Sequence, residues 1–130
     1  MLFARILLGV NGAAFALYGL ACVFSPEIVG GYSGMELPNP GSLTEVAAMY
    51  GGLQAGLGLV FLSSALRPAR AGDGLWLMVV LLGSLALGRT VGLLTYGYSA
   101  YNLSALVYES LVALLAFVAI KWLVPFRDES

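Results

Sequence analysis

The chain has 130 residues, of which 60% are apolar and only 10% are charged. A soluble domain carries roughly 25% charged residues, so this composition indicates a single integral membrane domain, residues 1–130, with the lipid bilayer as a partner. The net charge of -1 argues against a nucleic-acid partner, and the absence of His with a single cysteine, Cys22, excludes imidazole ligands and an internal disulfide.

Four segments are apolar for about 20 residues, the length of helix that crosses a bilayer. Proline or glycine separates each segment from the next, and both residues interrupt helices. Four closely spaced spans predict an all-α protein, an antiparallel four-helix transmembrane bundle. In chain order, the spans are predicted at residues 2–24, 43–66, 75–96 and 101–124.

The basic residues predict the orientation of the bundle. The two loops at 25–42 and 97–100 contain no Lys or Arg, whereas the opposite membrane face is basic. The positive-inside rule therefore predicts that both termini are cytoplasmic in a multi-pass protein of the cell inner (plasma) membrane. Pro125 is expected to end the fourth span, and the basic residues at the cytoplasmic face are Arg5, Arg67, Arg70, Lys121 and Arg127.

Two opposite charges lie within the predicted third and fourth spans. Arg89 is about 10 Å and Glu109 about 12 Å from the outer ends of their helices, at 1.5 Å per residue. Each charge costs about 2.5–3.5 kcal/mol near the middle of a membrane helix, so neither is expected to face lipid. Because their depths match on neighbouring antiparallel helices, we predict that Arg89 and Glu109 form an ion pair inside the bundle.

Glu45, near the outer start of the second span, has two interpretations. Ser42 and Glu45 fit a capping box, in which Ser42 caps the helix and Glu45 bonds back to its first amide. Alternatively, Glu45 faces inward and joins Arg89 and Glu109. A helical face of mostly small residues favours the second interpretation, because such faces pack against other helices; its members are Glu45, Met49, Gly52, Gly56 and Ser63.

Deeper in the membrane, Asn11 and Gln54 either hydrogen-bond between helices or extend a polar path from Arg89. Tyr50 and Tyr96, in the outer half, are candidates for lining a pocket. Glycines in the second and third spans predict close helix packing; the alternative is that a groove left by their missing side chains admits a flat ligand or a lipid tail. The 25–42 loop is either a connector or a lid over the outer end of the bundle.

The sequence resembles the DoxX/DoxD-like superfamily of small four-helix bacterial membrane proteins, and more closely an uncharacterised domain-of-unknown-function family with that layout. The resemblance rests on Arg5-Ile6-Leu7-Leu8-Gly9, on Tyr18-Gly19, and on Glu45 followed by the glycine-rich run from Gly51 to Gly58. It implies an accessory subunit of a quinone-linked membrane redox complex, with quinone as the candidate cofactor. It also carries the family's second-helix glutamate over to Glu45.

These features predict an outward-facing polar pocket that binds a small amphipathic molecule, either a quinone or a lipid. Two alternatives stay open: a small transporter or exporter that acts as a homo-oligomer, and a structural protein whose ion pair only fixes helix packing. No catalytic motif of a soluble enzyme is present, which favours a non-enzymatic role. The candidate ligand-binding residues are Arg89, Glu109, Glu45, Tyr50, Tyr96, Gln54 and Asn11.

Overall fold

The computed structural model describes residues 1–123, and these form helices joined by short connections. Four of the helices are long and apolar enough to cross a membrane, which confirms the predicted fold class of four antiparallel spans. Pro125 and Arg127 lie outside the described residues. The long helices are α1 (Leu2–Phe24), α3 (Pro40–Leu66), α4 (Ala71–Tyr96) and α5 (Ala100–Leu123), and a short helix α2 (Ile28–Ser33) precedes α3.

The start of α3 differs from the sequence-based expectation. Asn39 is its N-cap, because the Asn39 side chain accepts a hydrogen bond of 2.9 Å from the backbone nitrogen of Ser42. The Ser42 hydroxyl in turn accepts from the backbone nitrogen of Asn39 at 3.3 Å, which completes the capping box. The predicted box of Ser42 with Glu45 is therefore wrong, since Pro40 is compatible with the first helical turn and moves the cap three residues upstream.

The start of α4 is also earlier than predicted. The segment from Gly72 to Gly74, which lies between the predicted second and third spans, falls within the first turns of the helix. Asp73 in the first turn is favourable there, because a carboxylate interacts well with the amide dipoles of a helix N-terminus. Gly74 allows a close approach, since a Cβ atom at that position would lie 2.6 Å from the hydroxyl of Ser64.

The chain divides into two compact units, which we describe separately. The glycine unit comprises residues 9–63, that is, most of α1, the loop after it and most of α3. The ion-pair unit comprises Met1–Leu8 and the chain from Ser64 onward, which includes α4 and α5.

Helices α1 and α3 of the glycine unit approach each other at two pairs of glycines. A Cβ atom at Gly58 would lie 2.7 Å from the carbonyl oxygen of Gly12, and one at Gly19 would lie 2.6 Å from that of Gly51. These distances are too short for any side chain, so the backbones are in direct contact. Because Gly12 faces Gly58 and the later Gly19 faces the earlier Gly51, the two helices are antiparallel.

The packing face of α3 is not the one that the sequence predicted. Gly56 of the predicted small-residue face has open space where a Cβ atom would be, and at Gly52 the nearest atom lies 3.9 Å away. Glu45 and Met49 on the same face are exposed on the chain. A turn of π-helix at Ala47–Gly52 interrupts the regular helical spacing, so residues on either side of it no longer share the predicted alignment.

The 25–42 loop folds onto its own unit rather than extending away from it. Val29 of α2 is fully buried in a cluster with Cys22 of α1 and Val46 of α3, and Leu37 packs against the same cluster. The buried position of Cys22 agrees with its small apolar side chain. Val29 and Leu37 therefore anchor the loop to this cluster.

In the ion-pair unit, α4 and α5 pack together as an antiparallel pair joined by a turn at Gly97, which has a φ of 109° that favours glycine. The α1 start contacts the α3 end, where the Nε of Arg5 donates a hydrogen bond of 2.8 Å to the carbonyl oxygen of Ala65. The rings of Phe3 and Trp122 are 6.0 Å apart at the same end.

Replacing Gly58 with alanine tests the close contact in the glycine unit. We expect Gly58→Ala to lower the free energy of unfolding by about 1–3 kcal/mol, because the new Cβ atom meets backbone atoms that cannot rotate away. The matched control Gly56→Ala places its Cβ atom in open space and should leave the stability within about 1 kcal/mol of the native value. Denaturant unfolding in detergent micelles measures both, and equal losses in the two variants would contradict the proposed contact.

Candidate functional site

The predicted ion pair between α4 and α5 is present. The Nε of Arg89 donates to Oε2 of Glu109 at 2.9 Å, and Nη2 donates to Oε1 at 2.6 Å. This is the two-point arrangement in which a planar guanidinium matches a carboxylate. The Glu109 side chain is only 6% exposed and that of Arg89 is 21% exposed. Because both side chains are largely buried, solvent competes little for their hydrogen bonds.

Asn102 is a third member of the site that the sequence reasoning missed. Its Oδ1 accepts a hydrogen bond of 2.6 Å from Nη1 of Arg89. The Arg89 guanidinium also lies 5.8 Å from the centre of the Tyr101 ring, a cation–π distance. The spacing could have revealed Asn102, because it precedes Glu109 by seven residues and so lies on the same face of α5, two turns away.

A pocket of about 410 Å³ lies beside this cluster in the ion-pair unit. Gly88 and Gly92 on α4 create it, since Cβ atoms at both positions would meet nothing within 4 Å. Arg89 and Asn102 give the pocket a polar side, whereas leucines give it an apolar one. We call this the ion-pair pocket, and its lining residues are Ser84, Leu85, Gly88, Arg89, Gly92, Leu93, Tyr96, Gly97 and Asn102.

Only some of the sequence-predicted site residues meet here. Arg89 and Tyr96 line the ion-pair pocket, whereas Glu109 hydrogen-bonds to Arg89 and is not a lining residue itself. The other four candidates belong to the glycine unit and do not line this pocket; they are Glu45, Tyr50, Gln54 and Asn11. Their roles as ligand-binding residues stay predictions.

The four candidates in the glycine unit differ in their surroundings. Asn11 is buried and Gln54 is half-buried. Tyr50 lies in the π-helical turn and packs against the buried cluster of Cys22, Val29 and Val46. Glu45 is exposed on the chain.

The chemistry that the ion-pair pocket offers is hydrogen bonding without net charge. The carboxylate of Glu109 and the guanidinium of Arg89 neutralise each other, and Asn102 adds an amide. Among residues 1–123, no group of three or more Cys, Asp or Glu side chains is arranged to hold a metal ion.

The sequence profile of one family, described as a domain of unknown function, DUF4345, matches residues 3–120. The chain belongs to the DUF4345 family. Curated protein sequences and solved structures give no significant match. None of these comparisons links the DUF4345 chain to the DoxX/DoxD-like proteins, so that resemblance stays a prediction.

A double-mutant cycle measures how strongly the two charges depend on each other. We expect Arg89→Met and Glu109→Leu, each made alone, to destabilise the protein by about 3–5 kcal/mol, because the remaining charge stays buried without its partner. The double variant should recover most of that loss, since both charges are then removed together. Unfolding in detergent micelles is the measurement, and a double variant that loses the sum of the two single losses would contradict the pairing.

Proposed function

We propose that this DUF4345 protein binds the polar head of a small amphipathic molecule, a quinone or a lipid, in the ion-pair pocket. The observation that carries the proposal is the pairing of open glycine positions with a polar cluster at a depth of about 10 Å within a membrane-spanning helix. Polar side chains inside a membrane are costly and are found mainly at functional sites. Ligand pockets commonly join apolar walls to a few placed polar groups.

The shape of the pocket supports an amphipathic ligand over a wholly polar one. Gly88 and Gly92 lie four residues apart, so together they expose a strip of bare backbone along α4. Leu85 and Leu93 lie beside this strip, whereas Arg89 and Asn102 form the polar side. A flat ring or an alkyl chain would contact the glycine strip and the leucines, while its head group would hydrogen-bond to the cluster.

Filling the pocket tests this function. Native mass spectrometry of the protein purified in a mild detergent should detect a retained small molecule in addition to the protein mass. We expect Gly88→Leu and Gly92→Leu to lose that molecule, because the new side chains extend into the pocket. Gly56→Leu is the matched control and should retain it, since Gly56 also has open space around it but lies outside the pocket. Native protein without any retained molecule would count against the proposal.

A purely structural role is the second candidate, and the two-point geometry of the ion pair favours it. Two parallel hydrogen bonds fix both the depth and the rotation of α4 against α5. The two roles make different predictions for the glycines, because a structural pair would be indifferent to Gly88→Leu. Unchanged stability together with unchanged co-purifying molecules in that variant would favour the structural role.

The proposed location follows from the resemblance and from the basic residues. An accessory subunit of a membrane redox complex would bind quinone in the outer half of the inner membrane, with both termini in the cytoplasm. Trp76 near the start of α4 and Trp122 near the end of α5 lie at the basic end of these helices, with Arg70 and Lys121. Interfacial tryptophans agree with a membrane boundary there.

Cysteine labelling tests this orientation. In a Cys22→Ala background, a membrane-impermeant maleimide applied to intact cells should label Glu36→Cys and spare Arg70→Cys. The positive-inside rule is the reason, since it places the loop that contains Arg70 in the cytoplasm. Permeabilised cells provide the control, because both variants should then react. The opposite labelling pattern would reverse the proposed orientation.

A further inference from the structure

We infer that the ion-pair pocket selects a head group that is an uncharged hydrogen-bond acceptor, namely a carbonyl oxygen, and discriminates against carboxylates and phosphates. The inference rests on the proposed function and specifies the class of ligand. It depends on how Arg89, Glu109 and Asn102 divide their hydrogen bonds.

The ion-pair cluster carries no net charge. Arg89 is the one basic residue in the pocket lining, and two of its nitrogens donate to the carboxylate of Glu109. The pair is neutral as a whole, so it offers an anionic head group no net attraction. An anion that replaced Glu109 on Arg89 would leave that carboxylate buried without its partner, so the full charge of the arginine is not available to it. The cluster therefore disfavours anions, although it contains an arginine.

The Asn102 amide has a fixed orientation beside Arg89. A guanidinium can only donate hydrogen bonds, so the amide oxygen of Asn102 must face Nη1 of Arg89, as it does at 2.6 Å. The amide nitrogen, Nδ2, then faces away from the arginine. Within residues 1–123 this nitrogen has no hydrogen-bond partner, and Asn102 lines the pocket. The pocket thus presents an N–H donor whose orientation is fixed by the ion pair.

The Asn102 donor shares the pocket lining with apolar residues. Asn102 lies in the first turn of α5, so its donor is at the outer end of the pocket, where the acceptor of a ligand would take the place of water. The neighbouring glycine strip and Leu93 suit the apolar remainder of such a ligand. Quinones and neutral glycerol esters both carry carbonyl oxygens on apolar frameworks, so the chemistry that they share is what the pocket recognises.

Three probes distinguish head groups and sources: a decyl-substituted benzoquinone, dioctanoylglycerol and decanoate. Each is titrated into the full-length protein in detergent micelles and followed by native mass spectrometry at about pH 9, where decanoate is ionised. We expect at least one neutral carbonyl probe to bind at least about tenfold more tightly than decanoate. The quinone and the glycerol ester, compared with each other, identify the source of the carbonyl.

Asn102→Asp is the decisive variant. Aspartate keeps an oxygen for Nη1 of Arg89 but replaces the N–H donor with a second acceptor, so the helices stay linked while the donor is lost. We expect the neutral probes to bind about tenfold more weakly, because one hydrogen bond is removed and two acceptors face each other. Ser104→Ala is the matched control on α5, since the Ser104 hydroxyl donates to the carbonyl of Ala100 and lies outside the pocket.

The outcomes separate the inference from the function on which it rests. If decanoate binds as tightly as the neutral probes and Gly88→Leu abolishes both, the pocket binds ligands but the carbonyl selectivity is overturned. Unchanged binding of the neutral probes to a folded Asn102→Asp variant overturns it as well. If no probe binds the native protein, the inference and the proposed binding function both fail.

Discussion

The Arg89–Glu109 pair is the interaction on which the ion-pair unit depends. Two charges lie within apolar helices that are long enough to cross a membrane, where neither could be solvated alone. Their two-point contact solves that problem and at the same time fixes α4 against α5 in depth and rotation. The pair also sets the orientation of the Asn102 amide, because the remaining guanidinium nitrogen of Arg89, Nη1, donates a hydrogen bond to the amide oxygen. In the proposed function, packing and recognition would share the same three side chains.

The glycines of this chain have two different uses, and the difference is one of surroundings. Gly12, Gly19, Gly51 and Gly58 allow the backbones of α1 and α3 to touch, so a larger residue would collide with main-chain atoms. Gly88 and Gly92 contact nothing where a side chain would be and thereby create the ion-pair pocket. Without hydrophobic driving force between helices in a membrane, close packing of the first kind is a main source of stability. Positions of the second kind add nothing to that packing, which makes them available for a ligand.

Membership of the DUF4345 family agrees with a small four-span membrane protein and leaves its ligand to be argued from the site. The structural role of the pair and its proposed binding role are compatible, because a rigid ion pair would also hold the Asn102 amide in a fixed orientation. A neutral cluster has a further consequence. In the proposed binding role, it would keep the anionic head groups of surrounding lipids from competing for the site.

The amino-acid sequence by itself determined the four spans, their antiparallel order and the ion pair. Hydrophobic length is sufficient for the spans, and the energetic cost of isolated charges in lipid is sufficient for pairing Arg89 with Glu109. The start of α3 could not be predicted from the sequence. Ser42 can form a capping box with either Asn39 or Glu45, and only the backbone conformation selects between the two. Tertiary structure alone decided which glycines pack and which remain open, since a π-helical turn changes the face that α3 presents. It also decided the role of Asn102, because the orientation of the amide depends on which donor its oxygen accepts a hydrogen bond from.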